Sequence, residues 1–191
     1  MRITYFVHST TADNIHKVAS GWNDIPLSEV GLAQAHELKQ QIAHREFHAV
    51  YASDLLRARQ TAEIVFGSAA RYDARLRECN YGAHNGGPAA YVDEFVRHNS
   101  STETFSAGES LLQVELRVRT LLAELVQWHE GHNVAFVSHR FPQLALEVIT
   151  RQISWEQALQ HDWRANGEWQ PGWEYDLTPV LSHLVDARPG H

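Results

Sequence analysis

The 191-residue chain contains one cysteine, Cys79, so no disulfide can form within it and a packed core must supply its stability. At this length roughly 70% of the unfolded surface can be buried, enough for such a core in one domain over residues 1–191. Glu78 and Asn80 flank Cys79 without a positive charge to activate its sulfur, so the thiol reads as structural, in a reducing compartment. Basic side chains are in the minority, 16 against 23 acidic, for a net charge of −7. No basic run is present to neutralise a row of phosphates, and nucleic acid is not expected as a partner. No apolar run approaches the roughly 18 residues that span a bilayer, and the first residues read as a strand rather than a secretory signal. These shortages together predict a soluble, cytoplasmic protein with no membrane partner. A Gly-x-Ser-x-Gly elbow is missing too, and adjacent strand residues such as Ser138 and His139 point to opposite faces, which excludes a serine hydrolase.

Histidine and tryptophan, by contrast, are plentiful, at 13 and 6 residues. Most of the histidines, including His16, His36, His44, His48, His98, His161, His183 and His191, stand in polar or loop surroundings and read as surface or satisfied side chains. His129-Glu130-Gly131-His132 has metal-ligand spacing, but glycine at a helix end marks a capping turn, so no metal site is expected there. Two histidines differ. His8 ends the apolar run Tyr5-Phe6-Val7, and His139 ends Val134-Ala135-Phe136-Val137-Ser138. In an open parallel sheet ligands bind at the carboxyl ends of strands, so these two imidazoles can share one crevice despite lying 131 positions apart (139 minus 8).

Around them the pattern alternates. A strand over 2–7 leads to a helix with Ser28 as N-cap that runs to about His44. A strand at 49–52 ends in Ser53 and Asp54, read as caps of a helix over roughly 55–66. Arg71 to Arg75 reads as a short strand. A lid-like segment follows at about 80–107, Gly-rich and Asn-rich, with a short helix near Tyr91 to His98. The longest helical stripe starts at Gly108-Glu109-Ser110 and ends before Gly131. A helix over 142–150 and antiparallel strand or hairpin structure within 155–177 complete the chain. Trp155, Trp163, Trp169 and Trp173 fall there and read as core packing rather than a ligand wall. The fold class is α/β, a three-layer α/β/α sandwich with a mostly parallel central sheet. A homodimer is left open.

Neutral imidazole is nucleophilic near pH 7, and phosphohistidine is labile enough to pass its group to water. Such chemistry needs cationic or N–H donors for the phosphoryl oxygens and an acid for the leaving group. Arg57, in the first turn of its helix near the positive end of the helix dipole, suits the first role. Glu78, just before the lid, suits the second, although a loop glutamate is more often a solvated charge.

These residues fall in blocks: His8 with Asn14, Gly21-Trp22-Asn23-Asp24 through Ala35, Val50-Tyr51-Ala52-Ser53-Asp54-Leu55-Leu56-Arg57 through Ala62, Leu76-Arg77-Glu78 with Tyr81-Gly82 and Gly86, Gly108-Glu109-Ser110, and Val137-Ser138-His139. Their order resembles the histidine phosphatase superfamily, also called phosphoglycerate-mutase-like, over positions 1 to about 150. The resemblance implies a phosphoric monoester hydrolase that works without metal or cofactor on a small phosphorylated or anionic substrate. It implies His8 as phosphorylated nucleophile, Arg57 and His139 as holders of the phosphoryl oxygens, Asn14 in the same pocket, and Glu78 as proton donor.

The departures from the family pattern are specific. Where its opening reads R-H-G-E-T, this chain has Val7-His8-Ser9-Thr10-Thr11, and Val18-Ala19-Ser20-Gly21 stands where members often carry R-x-Q-G. Losing one charge-assisted hydrogen bond costs about 1.5–3 kcal/mol. Ser9 and Thr10 are candidate substrate contacts through hydroxyls that replace glycine and glutamate. Arg140 is a second candidate, either sending its guanidinium toward the pocket mouth or pointing to solvent from the start of its helix, where the dipole gives it nothing. Two histidines with an acid favour a phosphatase over a non-catalytic relative that binds an anionic ligand or a protein partner, since a binding pocket needs no proton donor. A phosphomutase ranks below both, because returning the phosphoryl group requires water to be excluded by a longer lid. Neither the substrate nor the pathway is written in these residues.

Overall fold

The apolar run at the start of the chain becomes β1 (Arg2–Val7), buried at every position after the first. In the computed structural model, which describes residues 1–166 and 172–180, it is followed by α1 (Ala12–Ile15), β2 (Val18–Ala19) and α2 (Glu29–Gln41). Ser28 is the N-cap of α2, its hydroxyl accepting from the Gly31 amide at 3.1 Å. Next come β3 (Ala49–Ala52), α3 (Leu56–Phe66), β4 (Ala70–Tyr72), β5 (Gly87–Pro88) and α4 (Ala89–His98). The chain continues through α5 (Leu111–Trp128), β6 (Asn133–Ser138), α6 (Arg140–Arg151), α7 (Trp155–Gln160) and β7 (Trp173–Asp176). A capping box between Ser110 and Gln113 opens α5.

Five strands form one sheet in the order β4-β3-β6-β1-β7. All its pairings are parallel except that of β7, which runs antiparallel to β1. Successive side chains of a strand leave on opposite faces, and the core divides accordingly. Tyr5, Val7, Val134 and Phe136 pack with α5 and α6 in one cluster, while Phe6, Val50, Ala135 and Val137 pack with α2 and α3 in the other. The three-layer α/β/α sandwich is therefore present.

Three local expectations are corrected. Ser53 and Asp54 do not cap α3, whose N-cap is Leu55 without a side-chain bond. The Leu56 amide is met instead by Asp24 Oδ1 at 2.6 Å, and Asp54 is drawn away by Arg77 at 2.7 Å. The strand expected at 71–75 is shorter and earlier, because a 3₁₀ turn over Ala74–Leu76, capped by Asp73, ends it. Within 155–177 the first part is helical, since Ser154 and Gln157 form a capping box, and among the described residues of this stretch only β7 is antiparallel strand. Trp169 lies outside the described residues. Over the expected lid, the helix read near Tyr91 to His98 is present as α4, and it follows directly from β5, whose pairing with β2 no period in the sequence announces.

Candidate active site

Register brings the two histidines together. β1 pairs with β6 so that Val7 faces Ser138, and the His8 amide donates to the Ser138 carbonyl at 2.9 Å. His8 and His139 therefore leave the same rim side by side, their ring centroids 5.1 Å apart. β3 flanks β6 on its other side, and the Ser53 amide donates to the Val137 carbonyl at 2.9 Å. This sets Ser53 Oγ 2.8 Å from His139 Nε2. The loop after His8 is held by α2, packed so closely that a Cβ on Gly31 would stand 1.9 Å from the Thr10 carbonyl oxygen.

Arg57 is 2% exposed on the first turn of α3. Its Nε donates to His8 Nε2 at 3.2 Å, and its two terminal nitrogens donate to the carbonyls of Asn23 and Gly21 at 3.0 and 2.8 Å. Gly21 presents that carbonyl from a left-handed conformation at φ +52, where a side chain would also strike Asn85. On the other side of the His8 ring, Nδ1 lies 2.8 Å from the Ser9 carbonyl, which can only accept. Nδ1 therefore carries the proton and Nε2 the lone pair. Burial, then the Arg57 charge, pull the His8 pKa down to about 3 against the opposing Ser9 carbonyl. Burial, followed by Arg57 and His8, likewise holds His139 well below the ordinary histidine value. Both rings are neutral near pH 7.

A cavity of about 820 Å³ opens at His8, lined by Val7, His8, Thr10, Asn14, Arg57 and Glu78 among others, with the fully buried His139 behind the His8 ring. Asn14 faces it from the exposed side, its Oδ1 spent on the Thr11 amide and hydroxyl, which leaves its amide nitrogen for a ligand. Glu78 sits at the start of α6, Oε1 accepting from the Cys79 and Phe141 amides and Oε2 from the Arg140 amide alone, at 3.2 Å. Cys79 beside it is fully buried, and burial pushes its thiol up.

Two sequence candidates are not free to meet a ligand. Ser9 does not reach the cavity: its side chain is fully buried and Oγ has no partner, so its contribution is the carbonyl that orients His8. Arg140 reaches the cavity wall, as one of its two expected courses had it, but its charge is taken up there. Its guanidinium is bound by Asp93 at 2.6 Å and by Asp162 at 2.7 Å through Nε, with Phe141 4.7 Å beneath. Burial works against its charge, but Asp162 and Asp93 outweigh burial and raise its pKa. It borders the cavity with its charge already balanced. Val7, standing where the family pattern has arginine, is 4% exposed and adds only apolar wall.

Sequence reasoning passed over Ser53 and Tyr5. The Tyr5 hydroxyl donates to the His139 carbonyl at 2.7 Å and accepts from the His139 amide at 3.1 Å, pinning that residue's backbone from β1. Ser53 ends β3 just as His8 follows β1 and His139 follows β6, and that shared strand-end position was the available signal. Trp163 and Lys17 also line the mouth. Of the remaining tryptophans, Trp155 is buried and bonds Glu115, while Trp173 packs 5.4 Å from Trp163. Among the described residues no cluster of three or more His, Cys, Asp or Glu is arranged to hold a metal, and no helix is long and apolar enough to cross a membrane.

A family model described as the histidine phosphatase superfamily (branch 1) matches residues 5–170. A probable phosphoglycerate mutase GpmB of Yersinia pestis is 30% identical over 142 residues, covering 69% of this chain and 66% of its own length. The chain thus spans about two thirds of the curated relatives it matches. A mycobacterial glucosyl-3-phosphoglycerate phosphatase solved in complex with VO3 is 28% identical, with TM-score 0.74 and coverage of 83% of this chain and 86% of its own. YhfR of Bacillus stearothermophilus is 26% identical, with TM-score 0.72 and coverage of 82% and 83%.

Proposed function

Because the chain belongs to the histidine phosphatase superfamily (branch 1), we propose that it is a metal-independent phosphoric monoester hydrolase acting on a small phosphorylated metabolite through a phosphohistidine at His8. The observation that carries this reading is the His8 ring, neutral, with its Nε2 lone pair held toward Arg57 and with His139 beside it. The Nε2 lone pair attacks phosphorus while the bond from phosphorus to the leaving oxygen breaks. Arg57 and His139 take the phosphoryl oxygens, and Asn14 adds its amide nitrogen. A proton on Glu78 passes to the leaving oxygen; Oε2, with a single amide contact, is the oxygen free to carry it. Water then attacks the phosphohistidine and returns a proton to Glu78 as phosphate and free His8 are released. Phosphatases among the similar structures support hydrolysis. A cytoplasmic location accords with the unpaired, buried Cys79.

A specific observation favours a second reading, a relative that binds an anion without turning it over. Val7 supplies no charge, and Arg140 is neutralised by Asp93 and Asp162. One experiment separates the two. The purified protein is incubated with a panel of phosphomonoesters in the presence of a chelator, beside His8→Ala. Phosphate release that the variant loses supports hydrolysis; vanadate binding without release from any ester supports the binder.

A further inference from the structure

His139 is fully buried, and only one of its ring nitrogens has a partner. Nε2 meets Ser53 Oγ at 2.8 Å, whereas Nδ1 meets no partner among the described residues. Which nitrogen bears the proton follows from Ser53. The Ser53 oxygen already accepts the Leu55 amide at 3.3 Å. Ser53 is fully buried too, and its hydroxyl proton must find an acceptor; His139 Nε2 is the acceptor within reach.

Two arrangements are open. With the proton on Nε2, that nitrogen donates to Ser53, and two buried groups are stranded: the Ser53 hydroxyl proton and the Nδ1 lone pair. With the proton on Nδ1, Ser53 donates to Nε2, and a single group is left over, an Nδ1–H. Buried polar groups are rarely left unmatched, so the second arrangement is favoured. The Tyr5 hydroxyl, bonded to both backbone groups of His139, holds the ring's attachment point from the other side.

We infer that Ser53 is a positioning residue that holds His139 as its Nδ1–H tautomer and thereby keeps an N–H donor in reserve for a ligand oxygen. The pair of imidazoles is then complementary. His8 offers a lone pair at Nε2 because the Ser9 carbonyl takes its Nδ1–H, and His139 offers a hydrogen at Nδ1 because the Ser53 hydroxyl takes its Nε2 lone pair. A donor present on a neutral ring meets a phosphoryl oxygen without first drawing a proton from water. The tautomer stands on the ligand-free geometry alone; its use toward a phosphoryl oxygen rests on the hydrolase reading.

The test reads the two separately. Protein labelled with 15N-histidine is observed at pH 7.5 by long-range proton–nitrogen correlation, with the His139 signals identified by their loss in His139→Gln. Expected is a His139 pattern with the proton on Nδ1 and the lone pair on Nε2, lost or mixed in Ser53→Ala and kept in Tyr5→Phe. A wild-type His139 protonated on Nε2, or a Ser53→Ala spectrum like the wild type, overturns the inference, and the wild-type spectrum alone decides if a variant does not fold. On p-nitrophenyl phosphate, Ser53→Ala should lower kcat roughly 10- to 100-fold, by analogy with the loss of an outer hydrogen-bond partner from a metal-bound histidine, with KM within about threefold. Ser53→Thr, which keeps the hydroxyl, should recover much of the loss. Should wild-type protein release no phosphate from any ester while His139 shows the Nδ1–H pattern, the hydrolase reading fails and the positioning of His139 stands.

Discussion

Arg57 Nε donates to His8 Nε2 at 3.2 Å, so the cation of the site rests on the atom proposed to attack. In the proposed mechanism a substrate phosphoryl oxygen takes over that N–H before Nε2 is free, which would couple oxygen binding to release of the nucleophile. The other two guanidinium nitrogens stay on the Gly21 and Asn23 carbonyls. Arg57→Lys keeps the charge but cannot reach all three acceptors with one ammonium group. We expect kcat/KM for p-nitrophenyl phosphate to fall on the order of a hundred- to a thousandfold. A lysine variant within fivefold of wild type in steady-state kinetics would show that the fork geometry is dispensable.

Val7→Arg tests the missing motif cation. Val7 is 4% exposed and borders both the core and the cavity, so the substitution should cost about 1–3 kcal/mol in urea unfolding through overpacking. In exchange, a charge-assisted bond of roughly 1.5–3 kcal/mol should tighten vanadate binding at least tenfold in calorimetry. Unchanged affinity would mean that the arginine is absent without consequence for anion binding.

Arg140→Ala separates a ligand contact from a structural clamp. Asp93 would keep Arg164 at 3.5 Å, but the buried Asp162 would lose its ion-pair partner, and an uncompensated buried charge costs about 3–5 kcal/mol, readable as a large drop in Tm. Vanadate affinity, measured well below that Tm, should change less than threefold. A tenfold loss with little change in Tm would restore Arg140 to the binding set.

The lowered histidine pKa values make stability depend on pH. In the folded chain His8 titrates near 3, below the ordinary 6.5, so between those values the unfolded chain binds the extra proton. Stability therefore rises with pH through this window, is complete above about 6.5, and is lost as pH falls. His8→Asn should remove up to roughly 1.4 kcal/mol per pH unit of that slope between pH 6 and 4, seen as a flatter plot of unfolding free energy against pH. An identical slope in both proteins would show that His8 is not buried as a neutral ring.

The elements that could be read in advance were those whose cause is local. The apolar runs of β1 and β6, the Ser28 cap of α2 and the Ser110 start of α5 each depend on residues within a few positions, and each stands where it was expected. Ser53 and Asp54 also looked like local caps. They lost that role to partners 86 and 23 positions away, His139 and Arg77, which no window of sequence contains.

The residue types alone settled the chemistry on offer: two strand-end imidazoles, one early-helix guanidinium, one loop carboxylate, and an apolar residue in place of a second cation. Whether those groups could act together depended on strand order and register, which set β1 beside β6 and β3 beyond it. Folding likewise spent the charge of Arg140 on two aspartates at the pocket wall, and turned the Ser9 side chain inward. The physical reason is the range of the interactions. Periodicity and capping act over a few residues and are written along the chain, whereas desolvation, ion pairing and the choice of a tautomer answer to whatever the fold brings within about 3 Å.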